Sequence, residues 1–109
     1  MTMADAESTC IALGGNLASI HNYGEQSVIR QLIYNKCHSN AHAWIGMFDA
    51  IQEGKWMWTD GSKVVFTHWN HGEPNNYFNE HCAVINWNGN YWNDLSCQDR
   101  KPFVCAKKV

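Results

Sequence analysis

Glu73-Pro74-Asn75, then Glu80 two residues ahead of Cys82, then Trp92-Asn93-Asp94 three residues ahead of Cys97: these short stretches organise the reading of the whole 109-residue chain. The first two lie in a polar, Asn-rich segment, residues 67–81. Structureless loops of that length are uncommon inside compact domains and are usually kept for function. The third closes a hairpin whose strands, 82–86 and 91–94, flank Asn88-Gly89. That dipeptide marks a type I′ turn, which needs positive φ at both central residues. Of Glu73, Asn75, Glu80, Asn93 and Asp94, three are carboxylates and two are amides. Such a set suits Ca2+, a hard cation that takes roughly six to eight oxygen ligands. Each amide can turn its carbonyl to the ion and keep an N–H donor. Vicinal hydroxyls of a sugar can then bind the ion, donate to a carboxylate and accept from an amide. On composition alone, the same side chains also read as a solvated surface loop.

Outward from this segment, the chain divides into a helical first part and a stranded second part. Ala6, Cys10 and Leu13 share one face of a helix over 4–13, which Gly14-Gly15 ends. A short extended stretch, 17–20, follows. Asn22 is an N-cap with Glu25 in capping-box position, and Val28, Ile29, Leu32 and Ile33 form the apolar stripe of a second helix to about residue 35. Strands are expected at 43–47, 55–59 (Trp56 and Trp58 on one face), 64–66, the two hairpin arms and 103–107. Helices first and strands after predict an α+β fold, in one domain over residues 1–109.

Composition narrows the function. A 45% apolar content with six tryptophans supplies a core, and a net charge of −2 gives no field for nucleic acid. No apolar run is long enough to span a membrane. Residues 1–5 show neither the basic nor the apolar region of a signal peptide. Five cysteines, none in a Cys-x-x-Cys pair, point to disulfides and an oxidising, secreted setting. Among His21, His38, His42, His68, His71 and His81, only His38 and His42 stand four apart, and they lie in the polar 36–42 loop rather than on a helix, so histidine-bound metal is not expected. No nucleophile–base pair or phosphate loop stands out, and the carboxylate spacing fits metal binding better than a glycosidase pair; no enzyme is expected.

Taken together, the Glu73-Pro74-Asn75, Glu80 and Trp92-Asn93-Asp94 stretches, Ala43-Trp44-Ile45-Gly46-Met47, Gly15-Asn16-Leu17-Ala18-Ser19-Ile20 and the cysteines at 10, 82, 97 and 105 resemble the C-type lectin family over nearly the whole chain. The resemblance implies two helices plus antiparallel strands and a long calcium-binding loop, with disulfides Cys10–Cys105 and Cys82–Cys97. It implies a primary calcium site at Glu73, Asn75, Glu80, Asn93 and Asp94, with a cis bond before Pro74. Sugar would be held by Glu73, Asn75, Glu80 and Asn93, with Tyr77 offered as a stacking ring. The Glu-Pro-Asn form resembles mannose-type members, implying mannose, fucose or N-acetylglucosamine over galactose. A second calcium site is implied at Asp49, Glu53, Asn76 and Glu80. His81 stands where the family usually has an acid, and imidazole suits calcium poorly.

Two departures matter. The family's usual first strand, before the first helix, has no counterpart, so the 103–107 strand is expected to carry an open edge. Cys37 has no implied partner: it joins two subunits, pairs with a cysteine outside this sequence, or stays a free thiol. A homodimer through Cys37 or the open edge is thus one expectation. Against the lectin reading stands a protein- or ice-binding module on the same fold, which the family also includes.

Overall fold

The computed structural model describes residues 1–74 and 80–107. The elements follow as α1 (Met3–Ala12), β1 (Gly15–Leu17), α2 (Tyr23–Cys37), β2 (Ala43–Phe48), β3 (Met57–Trp58), β4 (Cys82–Trp87), β5 (Tyr91–Leu95) and β6 (Cys105–Lys107). Antiparallel strands form a four-stranded sheet, β3-β2-β4-β5, and a two-stranded ribbon, β1-β6. The fold is α+β, as the periodicities predict.

Local chemistry sets the helix ends. Thr2 caps α1, its side-chain oxygen accepting from Asp5 N. Met3, Ala6 and Cys10 form the buried face of α1, but Leu13 is 68% exposed. Leu13 is the C-cap, and the chain turns away at Gly14 with φ of 93°, a value glycine adopts without strain. Asn22 Oδ1 accepts from Glu25 N at 2.8 Å, as expected of the cap; Glu25 in turn reaches back to His21 N at 2.7 Å. Helix α2 runs on to Cys37 and ends on His38 in the left-handed conformation, so His38 and His42 do not share a helical face.

The buried stripe of α2 differs from the expected one. Ile29 and Ile33 are buried, whereas Val28 and Leu32 lie more than half exposed, and the third inward residue is the polar Gln26. Gln26 Nε2 donates to Asn90 O at 2.6 Å, and its Oε1 accepts from Trp92 Nε1 at 3.0 Å. Burial satisfied by two hydrogen bonds lets a polar group occupy a position that hydropathy assigns to its neighbours. Arg30 and the carbonyl of Ala41 satisfy buried Asn86 in the same way, at a positive-φ irregularity in β4.

Two apolar clusters fill the interior. One gathers Ile20, Ile29, Ile33, Ile45, Met47, Trp58, Ile85 and Trp92 between α2 and the four-stranded sheet. The other joins Met3, Ala6 and Cys10 of α1 to Leu17, Trp44 and Val84. The disulfides Cys10–Cys105 and Cys82–Cys97 are both present, the first tying α1 to β6. Glu7 strengthens the α1–β1 join by accepting from Leu17 N at 2.8 Å and Asn16 Nδ2 at 2.7 Å.

The last strand is not left unpaired. β6 is shorter than expected and pairs with β1, Gly15 opposite Lys107 and Leu17 opposite Cys105. Just before it, Pro102 O accepts from Trp44 N at 2.8 Å. Among the described residues, the open edge is confined to the far side of this three-residue strand. The expected strand at 64–66 does not form. Its alternation is real, with Val64 and Phe66 half-buried and Val65 exposed, but no neighbouring strand among the described residues supplies a ladder. Phe66 instead packs edge-on against Tyr23 and Trp92.

Gly46 shows why the β2 sequence is constrained. A Cβ there would lie 2.8 Å from both Leu17 O and Thr59 Oγ1. Gly46 N also donates to Ala18 O at 2.9 Å, so the strands cannot separate without losing that bond. Gly46→Ala is therefore expected to cost about 1–3 kcal/mol by overpacking. Urea unfolding would measure it, and an unchanged midpoint would contradict this account.

Candidate functional site

Strand β5 carries the centre of the expected site. Asn93 and Asp94 stand opposite Val84 and Ala83 of β4. Asn93 is 4% and Asp94 0% exposed. A carboxylate this deep is costly unless something compensates its charge. Asn93 Oδ1 is buried with no hydrogen-bond partner among the described residues. A buried carbonyl oxygen without a donor is rare in folded proteins and calls for an explanation such as an ion.

The start of the polar loop is docked on the free edge of β5. Trp92 N donates to His68 O at 2.8 Å, Asn70 N donates to Trp92 O at 2.9 Å, and Trp69 bridges to Trp92 in parallel. Glu73 N then donates to Asn70 O at 2.9 Å, and Asn88 Nδ2 in the hairpin turn bonds Asn70 Oδ1 at 3.3 Å. Through these bonds the backbone of Glu73 is referenced to β5 rather than hanging on a loose loop. The Glu73–Pro74 peptide is cis. Glu80, half-buried, sits two residues ahead of β4. Asn75, Asn76 and Tyr77 lie outside the described residues. Trp92 supports the site from beneath: it is fully buried, with Trp58, Phe66 and Trp69 edge-on around it.

A second cluster forms where β2 ends and β4 begins. Asp49 N donates to His81 O at 3.0 Å, continuing the pairing of Phe48 with Cys82 by one residue. This brings His81 Nδ1 to 2.9 Å from Asp49 Oδ1 and 3.8 Å from Glu53 Oε1. Asp49 is 1% exposed, and its Oδ2 accepts from Gly54 N at 2.8 Å. The carboxyl of Glu53 is held above its ordinary value by partial desolvation, then by a hydrogen bond to Asp49 and that group's charge, with His81 and Gly54 opposing. Among the described residues this is the one set of three or more His, Cys, Asp or Glu side chains with ligand atoms all within 4.8 Å of each other. Glu73, Glu80 and Asp94 are not drawn into so tight a group.

Asp49 and Glu53, expected in a second calcium site, thus come together, and the structure adds His81. Sequence reasoning discounted that histidine because imidazole suits calcium poorly and because the six histidines show no helical metal-binding motif. Its partners come instead from across a strand pair. The available signal was positional: Asp49 directly follows one apolar strand, and His81 directly precedes its neighbour.

Two helices, a four-stranded antiparallel sheet and a polar loop whose first residues dock on the sheet edge are the architecture of the C-type lectin-like class of binding domains. The family model described as Lectin C-type domain matches residues 1–107, and the chain belongs to that family. It is 46% identical to the galactose-specific lectin nattectin of Thalassophryne nattereri, over the whole of this chain and 69% of that protein. It is 42% identical to ladderlectin of Oncorhynchus mykiss, over 94% of this chain and 55% of that protein. The chain therefore spans roughly half to two thirds of the length of these relatives. The fold is similar to the crystal structure of the C-type lectin CEL-I from Cucumaria echinata, with a TM-score of 0.90 and 30% identity over 96% of this chain and 81% of that one. It is equally similar to the herring type II antifreeze protein, with a TM-score of 0.91 and 30% identity over 100% of this chain and 84% of that one. No helix among the described residues is long and apolar enough to cross a membrane.

Proposed function

We propose that this domain binds mannose-type glycans through a loop-bound Ca2+ held by Glu73, Asn75, Glu80, Asn93 and Asp94. The observation that carries the reading is the buried Asn93 Oδ1, without a hydrogen-bond donor among the described residues, beside fully buried Asp94 on the same strand. Oxygen donors of this kind fit a hard divalent cation. Bound there, the ion would supply coordination sites for a pair of sugar hydroxyls. Glu73, Asn75, Glu80 and Asn93 would hold those hydroxyls by accepting and donating hydrogen bonds around the ion, and Tyr77 would offer a ring to one sugar face. A shallow site of this kind binds monosaccharides weakly, and useful avidity comes from several sites acting together. Exposed Cys37, at the end of α2, is the cysteine left to join two chains for that purpose. The disulfides support a secreted protein.

The preference for mannose, fucose or N-acetylglucosamine over galactose rests on Glu73-Pro74-Asn75, while the relative nattectin is named galactose-specific. Retention on immobilised mannose and galactose separates the two. The expected result is retention on mannose in Ca2+ and release by EDTA. Calcium-dependent retention on galactose alone would overturn the mannose assignment and leave the lectin reading. No retention of either sugar by the folded protein would favour the second reading, an ice-binding module. The likeness to the herring antifreeze protein supports that reading, and ice-crystal growth inhibition would test it.

A further inference from the structure

We propose that Asp49, Glu53 and His81 form a binding site for a divalent transition ion of the Zn2+ type, at the place where the family resemblance implies a second calcium. The donor set decides the ion. Calcium takes roughly six to eight oxygens, whereas zinc is satisfied by about four donors and accepts imidazole nitrogen together with carboxylate. An imidazole therefore moves selectivity away from calcium and towards zinc and its neighbours.

The spacing suits such an ion. Zinc bonds of about 2.0–2.1 Å place tetrahedral ligands about 3.4 Å apart. His81 Nδ1 lies 2.9 Å from Asp49 Oδ1 and 3.8 Å from Glu53 Oε1, on either side of that value. All three ligand atoms, the Asp49–Glu53 pair included, lie within 4.8 Å of one another. Calcium would tolerate similar spacings, so the distances permit both ions and the nitrogen donor discriminates.

The scaffold holds two of the three ligands firmly. The Asp49 N to His81 O bond joins the ends of β2 and β4, and Cys82, the next residue, is fixed by its disulfide. Gly54 N binds Asp49 Oδ2, which leaves Oδ1 directed at the imidazole. Outer hydrogen bonds of this kind orient metal ligands and sharpen affinity. The side chains of His81 and Glu53 are 30% and 52% exposed, giving the ion an entry path and water a place in its coordination shell.

The test is titration of the full chain with Zn2+ by calorimetry in excess Ca2+, alongside the absorption spectrum of the Co2+-loaded protein. The expected result is one Zn2+ per chain, bound at least tenfold more weakly by His81→Gln and by Asp49→Asn, and unchanged by His71→Gln. The Co2+ spectrum should carry the visible bands of a low-coordinate site and lose them in His81→Gln. Because the wild-type spectrum is read directly, a variant that failed to fold would not remove the test. Zinc binding unaffected by His81→Gln and Asp49→Asn would assign the ion to other histidines and overturn the proposal. Absence of zinc binding by the folded wild type would also overturn it, leaving His81 as a hydrogen-bond partner of Asp49. No sugar enters the assay, so either failure leaves the glycan-binding reading intact.

Discussion

Removing the Cys10–Cys105 bridge, by alanine at both positions, is expected to lower stability by about 4–5 kcal/mol. The bridge spans a sequence separation of 95, and in the chain-entropy model a loop of that order restricts the unfolded chain by close to this amount. A domain of this size has a total stability of about 5–15 kcal/mol, so the double variant should stand near the edge of folding. The structure adds a reason for the loss to be felt across the molecule. Cys10 is fully buried between α1 and the sheet, and Cys105 opens β6, whose pairing with β1 closes the ribbon. The shorter Cys82–Cys97 bridge spans 15 residues and should contribute about 3 kcal/mol by the same model. Urea unfolding of the two double variants gives the comparison. A Cys10–Cys105 variant no less stable than the Cys82–Cys97 variant would contradict the chain-entropy ranking.

The second large effect concerns calcium. If Asp94 is a ligand, Ca2+ at about 100 times its dissociation constant should stabilise the wild type by about 2.7 kcal/mol, since only the folded state assembles the site. For a domain of about 100 residues, each kcal/mol moves the Tm by roughly 4–8 °C. Asp94→Asn is expected to abolish this calcium-induced rise and, with it, retention on immobilised sugar. The substitution keeps the size and shape of a residue that is fully buried in β5, so the melting curve without calcium reports any damage to the fold separately. A calcium-induced shift of wild-type size in Asp94→Asn would remove Asp94 from the ligand set. Loss of sugar retention with the calcium shift preserved would instead place Asp94 in sugar contact alone.

Much of the fold was legible in residue patterns because the signals are local. Asn22 and Glu25 announce the start of α2 by chemistry completed within four residues. Asn88-Gly89 announces its hairpin because both residues must take positive φ, and both do, at 47° and 99°. The oxygen-rich character of 67–81 and of Asn93-Asp94 could be read in the same way, as a matter of composition. Where packing partners come from afar, local patterns misled. Val28 and Leu32 have the hydropathy of a buried stripe, yet Gln26 holds the inward position because Trp92 and Asn90, more than sixty residues away, satisfy its amide. The 64–66 segment alternates like a strand, yet no strand among the described residues pairs with it.

By itself, then, the sequence determined the α+β class, the Asn22 cap, the hairpin and the supply of oxygen-rich side chains, all properties of residues close together in the chain. Tertiary structure alone decided that β6 pairs with β1, that Asn93 Oδ1 is buried without a donor among the described residues, and that His81 meets Asp49 and Glu53. These depend on strand register and burial, which bring residues dozens of positions apart within hydrogen-bonding distance and which no local pattern encodes.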